Sequence, residues 1–334
     1  MPMDREWLAL TMEEAIEPGL EIVDCHHHLW DVAGTYGRYE LDDLRTDTDS
    51  GHNIVETVFI DCGANYLTDG PEHLRPVGET IYVAGRADES DRTPGARIAA
   101  IVGHADLTLG ADVAEVLQAH VDAAGGRFRG IRHSGARADD PAVPLSRTEP
   151  PAGLYGDPAF RQGATTLASM GLSFEAWQYH SQLADVADLA RAVPELSIIV
   201  NHIGGPLGIG RWAGRRDEML EQWRPAMAEL ASLENVFLKV GGIGMTRFGV
   251  GWENRERPPT SSELLTVWGD ELGWCIDEFG PGRCMFESNF PVDGESCSYT
   301  VLWNALKKVS AGYSPRDRTA LLSGTARSVY RLGV

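Results

Sequence analysis

Cysteine is scarce in this chain. Cys25, Cys62, Cys275, Cys284 and Cys297 are scattered over 334 residues, and no C-x-x-C pair occurs. Their odd number and spacing exclude a disulfide framework and fit a reducing compartment, where Cys serves as a small buried apolar residue. Positive charge is also short, with 29 Lys and Arg against 49 Asp and Glu and a net charge of −20. That balance argues against nucleic acid and anionic membrane surfaces, both of which require Lys/Arg patches. No apolar run reaches the roughly 18 residues needed to span a bilayer. The opening stretch MPMDREWLALTMEEAIEPG is acidic where a secretory signal would be basic and then apolar, so a cytoplasmic protein is expected. Internal repeats and low-complexity tracts are missing too. What remains, 43% hydrophobic and 23% charged residues, is ordinary for a globular chain and enough to bury a large core.

Eight short runs rich in Val, Ile and Phe read as strands. They are 21–28, 55–63, 97–107, 127–133, 172–179, 196–204, 236–242 and 283–290. Several are almost continuously apolar, as parallel strands covered on both faces must be. Between them lie stretches with apolar residues three and four apart, such as ADVAEVLQAHVDAAG, QLADVADLARAVP and DEMLEQWRPAMAELASLE. Gly125 and Pro194 supply stop signals. Strict alternation of strand and helix predicts a (β/α)8 barrel, one domain over 21–334 with an N-terminal extension over 1–20. Region 64–96 fits least well, because Pro71 and Pro76 leave its helix short and broken. A doubly wound open sheet is the alternative. It would open with a Gly-rich phosphate turn, and here that position reads HHHLWD. GGPLGIG (204–210) matches neither dinucleotide nor P-loop spacing and reads as a flexible turn. Connections 29–54, 134–156 and 243–262 are long, and all leave the carboxyl ends of strands, where barrel enzymes carry out chemistry.

Histidine is distributed unevenly. Of ten, seven (His26, His27, His28, His104, His133, His180 and His202) fall at or just past strand ends. Side chains alternate along a strand, so His26 and His28 face one way and His27 the other. Two imidazoles so placed can chelate one metal or share one substrate group. His202 ends a buried strand, where an ionisable ring needs a partner or a task. His180 ends the fifth strand and could equally cap the following helix. His104 and His133 read as polar residues near the barrel mouth, and His27 as structural. Arg132, Arg137 and Arg247 suit carboxylate recognition. Trp30, Tyr36, Tyr155, Trp177 and Trp252 could line an organic ligand. Lys239 ends strand seven, as a site lysine or a salt-bridged structural one.

The stretches VDCHHHLWD, GRFRGIRH, LSFEAWQYHSQLADVADLARAVPELSIIVNHIGGPLGIG, VFLKVGGIGM and MFESNFPVD resemble the amidohydrolase superfamily. The similarity is to its branch containing 2-pyrone-4,6-dicarboxylate lactonase and sugar lactonases. The resemblance implies a (β/α)8 barrel that opens a lactone or related cyclic ester of an aromatic- or sugar-derived acid. By motif position it implies catalytic roles for His26, His28, His180, His202 and Asn289, with a divalent metal (Zn or Mn) on His26, His28 and His202. A metal-independent route, in which the His cluster polarises the carbonyl directly, stays open. Substrate contacts are expected from Trp30, Arg132, His133, Arg137 and Tyr155. Partners reduce to a small carboxylated lactone or aromatic acid, with a homo-oligomer left open.

Asn289 departs from the superfamily, which has a proton-accepting Asp there; an amide has no such basicity. The base would then be a His, or Asp293 reaching back. Glu287 is expected one layer deeper on the same face, unable to replace it. Two rivals remain: a decarboxylase of an aromatic or unsaturated acid, and a non-catalytic binding barrel.

Overall fold

The computed structural model describes residues 3–31, 37–145 and 148–333. Tyr36 lies outside them. Eight strands form one sheet whose order follows the chain: β1 (Glu21–His27), β2 (Asn53–Ile60), β3 (Arg97–Gly103), β4 (Phe128–Arg132), β5 (Ser173–Ala176), β6 (Ile198–Val200), β7 (Val236–Val240) and β8 (Cys284–Phe286). A helical turn α1 (Arg5–Leu8) precedes them. Each strand is followed by a helix: α2 (Leu41–Thr48), α3 (Val77–Arg92), α4 (Val113–Ala123), α5 (Pro158–Ser169), α6 (Leu183–Ala192), α7 (Arg216–Ala231), α8 (Ser261–Phe279) and α9 (Tyr299–Val309). This is the (β/α)8 arrangement that the alternation predicts, and the doubly wound sheet is not formed. No helix among the described residues is long and apolar enough to cross a membrane.

By compactness the chain divides into two units. One runs through Phe59, takes Arg86–Ala99 and resumes at Lys239; the other comprises Ile60–Gly85 and Ala100–Leu238. In the first, β1 and β2 pair in parallel with Glu21 opposite Asn53 and His27 opposite Phe59. The His28 N–H donates to the Phe290 carbonyl and the Asn289 N–H to the His26 carbonyl, both at 2.9 Å, which joins β1 to the end of β8. Asp24, fully buried, strengthens that seam. One oxygen accepts from Ser288 N–H (2.9 Å) and the other from the Tyr299 hydroxyl (2.9 Å). Burial raises its pKa to about 6 against the pull of those bonds. The N-terminal residues are tied to the same unit: Arg5 to Asp47, Glu13 to Ser261, and the Ile16 and Glu17 carbonyls to Lys307.

In the second unit β4, β5 and β6 pair in parallel register, Ile131 opposite Phe174 and Phe174 opposite Ile198. On α6, Leu183, Val186, Ala187 and Ala190 are buried, the helical spacing read from sequence. Region 64–96 corrects its reading: α3 is 16 residues long and starts directly after Pro76. Proline is harmless just ahead of a helix, where its N–H would have no helical partner. Gly78, in the first turn of α3, is required by packing, since a Cβ there would stand 2.6 Å from Leu67 N. The strand readings overshoot because apolar residues past the true ends, such as Ile203 and Phe290, are buried in turns. The first long connection is likewise shorter than expected, since α2 already occupies Leu41–Thr48.

Candidate active site

In the first unit β1 and β8 bring the acidic and imidazole groups together. His26 and His28 are 0% and 4% exposed, with their Nε2 atoms 3.3 Å apart. Two nitrogens bound tetrahedrally to one ion at about 2.1 Å lie roughly 3.4 Å apart, so the pair suits a shared Zn²⁺-like ion. The other nitrogen of His26, Nδ1, lies 2.9 Å from Glu287 Oε2 and 3.3 Å from Lys239 Nζ. One nitrogen cannot both donate to the carboxylate and accept from the ammonium. Of the two contacts the lysine one has hydrogen-bond geometry, and Glu287 stands beside the ring as a buried acidic group. Glu287, two residues before Asn289, approaches the Nδ1 side of the His26 ring. His27, on the opposite face, is kept neutral by burial, its pKa lowered to about 3, with Thr57 Oγ1 3.1 Å from its Nε2.

Asn289 follows at the mouth of β8 with φ +54°, a left-handed conformation that Asn tolerates better than most side chains. Its Nδ2 donates to Asp293 Oδ1 at 2.8 Å, and Gly244 N–H donates to Asp293 Oδ2 at 2.8 Å. Burial pushes the Asp293 carboxyl well above the usual range, opposed by those two donors and reinforced by Glu287 and Glu295. The Trp30 ring lies 5.3 Å from that of His28. Trp252 is buried beneath Arg255, whose guanidinium is 4.4 Å from its ring, and Arg247 is half-buried.

The second unit supplies the histidines that follow β5 and β6. His202 and Ile203 have φ +52° and +46°, and Gly204 and Gly205 continue with φ +75° and +66°. Consecutive left-handed L-residues persist only where the surroundings fix them, which is common at functional sites. The His202 ring packs edge-on against Trp177, centroids 5.0 Å apart. GGPLGIG is thus a packed turn: Gly204 to Leu207 are buried, and a Cβ on Gly205 would collide with the Gln178 carbonyl. The turn aims Leu207 N–H at His180 Nδ1, 3.2 Å away. Since Nδ1 accepts, neutral His180 carries its proton on Nε2, which has no hydrogen-bond partner among the described residues. Burial lowers its pKa to about 4, so the ring is a neutral donor. Gln182 takes the N-cap position of α6 that His180 was read as a candidate for.

The remaining expected residues have partners. Arg132 donates to the Asp61 carbonyl, with its Nε 3.9 Å from the Asp61 carboxylate. Arg137 is bound by Asp139 at 3.2 Å and Glu149 at 3.3 Å. The buried Tyr155 hydroxyl accepts from Gly135 N–H at 3.0 Å and faces the Trp177 carbonyl at 3.2 Å. His133 Nδ1 accepts from Leu107 N–H at 3.3 Å, and His104 Nδ1 donates to the Arg132 carbonyl at 2.8 Å. Sequence reasoning missed Glu175, fully buried in β5, which accepts from Asn201 Nδ2 at 2.5 Å. A lone carboxylate inside the apolar run LSFEAW was the available signal.

Comparison with known proteins agrees with this picture. A family profile described as amidohydrolase matches residues 23–332. An uncharacterized protein, y4mH, of Sinorhizobium fredii is 32% identical over 94% of this chain and 99% of its own. An L-fucono-1,5-lactonase of Burkholderia multivorans is 26% identical over 93% of this chain and 96% of its own. Among solved structures, an amidohydrolase from Burkholderia multivorans with bound zinc superposes with a TM-score of 0.70 at 23% identity, covering 93% of this chain and 99% of that one.

Proposed function

Because the chain belongs to the amidohydrolase family, we propose that it hydrolyses a lactone or related cyclic ester of a small, sugar- or aromatic-derived acid. The observation that carries this reading is the His26–His28 pair, Nε2 atoms 3.3 Å apart, with Glu287 on the far nitrogen of His26. A buried pair so braced is built to hold one electrophile. The lactonase relative and the zinc-containing neighbour support the same chemistry.

His26 and His28 would hold a divalent ion, with His202 as the proposed third ligand. When bound, such an ion polarises the carbonyl and stabilises the developing oxyanion. Water adds to the carbonyl carbon, the ring C–O bond breaks, and the product is an open hydroxy acid. His180 donates from Nε2 to a substrate oxygen, and that proton removes it from the candidates for base. Proton acceptance from water then falls to His202, since both Asp293 oxygens are engaged by Asn289 and Gly244. Trp30 forms a wall of the site. Arg132, already half-neutralised by Asp61, and His133 contact the acid end of the substrate; Arg137 does so at the rim. Tyr155 contributes its ring, because its hydroxyl is committed to backbone.

The test is a panel of sugar-derived 1,5-lactones and a pyrone dicarboxylate, assayed with zinc-supplemented enzyme by acid release and by carbon dioxide release. Acid without carbon dioxide is the expected result. Carbon dioxide from an aromatic acid, with no lactone opened, would assign the chain to decarboxylation instead.

A further inference from the structure

Asn289 stands where an amide is a poor choice unless something fixes it. The two ends of an amide are nearly the same size, and half a turn about χ2 exchanges a donor for an acceptor. A neighbour whose facing atom accepts decides between them. Asp293 is placed to do so: its Oδ1 takes the Asn289 Nδ2 proton at 2.8 Å. The carboxylate cannot swing away, because Gly244 N–H holds Oδ2 at 2.8 Å. Gly244 itself is required, since a Cβ there would come 2.8 Å from the Asp293 Cβ. A second link ties the backbones, Asp293 N–H donating to the Asn289 carbonyl at 3.2 Å. Asn289 is in turn locked to β1 through its N–H on the His26 carbonyl at 2.9 Å.

Resting on the hydrolase reading, we propose that Asp293 is a positioning residue that turns the Asn289 amide so that its Oδ1 is presented as the acceptor for the attacking water. The carboxyl group of this corner then belongs to residue 293, whose two oxygens both accept, and residue 289 is the amide it orients. An Asp at 289 would set two carboxylates about 2.8 Å apart in a buried place, where like charges cannot both ionise. This accounts for an amide at the position without making it a weakened copy of an acid.

The test compares the wild type with Asp293→Asn, Asn289→Asp and the swap Asn289→Asp/Asp293→Asn, reading kcat, KM and thermal midpoint. Asp293→Asn is expected to lose roughly 10–100-fold in kcat, the usual cost of removing an orienting partner, with KM little changed. Asn289→Asp is expected to lose both activity and thermal stability. The swap restores one carboxylate facing one amide, so it should regain most of the midpoint and part of kcat. In an Asn289→Ala background Asp293→Asn should cost nothing further, a cycle that decides the matter even if Asn289→Asp fails to fold. Undiminished kcat in Asp293→Asn, or a swap no more stable than Asn289→Asp, overturns the proposal. The midpoint needs no substrate: a swap that regains it in a protein opening no lactone would keep the pair and discard the hydrolase reading.

Discussion

Glu287 Oε2 sits 2.9 Å from Nδ1 of His26, with both side chains fully buried. The carboxylate places a buried negative charge behind the ring, opposite Nε2, the nitrogen facing His28, and so favours a cation on that side. Glu287→Gln keeps the shape but donates or accepts indifferently. It is expected to lower zinc affinity and kcat about 10–100-fold. Elemental analysis after dialysis against a weak chelator, alongside kinetics, measures both. Undiminished zinc retention and activity would show that the carboxylate only fills space.

His180 is expected to behave as a donor. Its Nδ1 is occupied by Leu207 N–H, and its pKa lies near 4. His180→Gln can still donate from its amide and should retain more kcat than His180→Ala, which cannot. Neither should move an activity limb near pH 6–7, because the ring does not titrate there. If His180→Gln abolishes such a limb, the tautomer assignment is wrong.

Gly205→Ala probes the turn that aims Leu207 at His180. An L-residue at φ +66° costs about 1–2 kcal/mol before any clash, and the added Cβ meets the Gln178 carbonyl as well. The variant should melt several degrees lower and share the kinetic defect of His180→Ala. A wild-type midpoint would mean that the turn adapts.

Arg132 and Arg137 looked alike in sequence, and the structure separates them. Arg137 is about a third exposed and bound by two exposed carboxylates, pairs worth about 0–1 kcal/mol at a surface. Arg132 is 11% exposed beside the buried Asp61. Arg137→Ala should therefore change KM no more than about fivefold, within that range, and Arg132→Ala considerably more. The reverse order would move the acid-binding contact to the rim.

Why the fold was legible and parts of the site were not follows from the same periodicities. Parallel strands buried on both faces leave unmistakable apolar runs, and the helices between them carry their own spacing. Seven histidines at strand ends stand out because imidazole is rare in such runs. Glu287, Glu175 and Asp293 were harder to place, because their importance lies in what they touch. Glu287 reaches a ring more than 200 residues away in sequence, and Asp293 returns to Asn289 over a turn that no short pattern encodes. The helix α3 was misjudged for a related reason: its prolines precede the first turn, and Gly78 answers to a loop packed against it.

Acid stability gives the last prediction. Burial lowers His27 to about 3 and His52, His120 and His180 to about 4. Unfolded, each protonates near 6.5, so the stability they confer is present above pH 6.5 and is lost as pH falls toward 4. Asp24 works the other way. With a folded pKa of about 6, its contribution is present below the unfolded value near 3.9 and lost as pH rises through 6. Asp47, Asp185 and Asp293, raised by burial, act in the same direction as Asp24, so the histidine part is read from variants and not from the net slope. The slope is about 1.4 kcal/mol per pH unit for each proton of difference. His52 and His120 test this away from the site: Lys307 Nζ is 2.9 Å from Nδ1 of His52, and Thr80 Oγ1 is 2.8 Å from Nδ1 of His120. From pH 7 to pH 5 the thermal midpoints of His52→Gln and His120→Gln should shift less toward destabilisation than that of the wild type, whatever their absolute midpoints. The difference between the two pH values is the quantity to compare, because each substitution also removes hydrogen bonds equally at both. A shift in both variants equal to that of the wild type would locate the acid sensitivity in other groups.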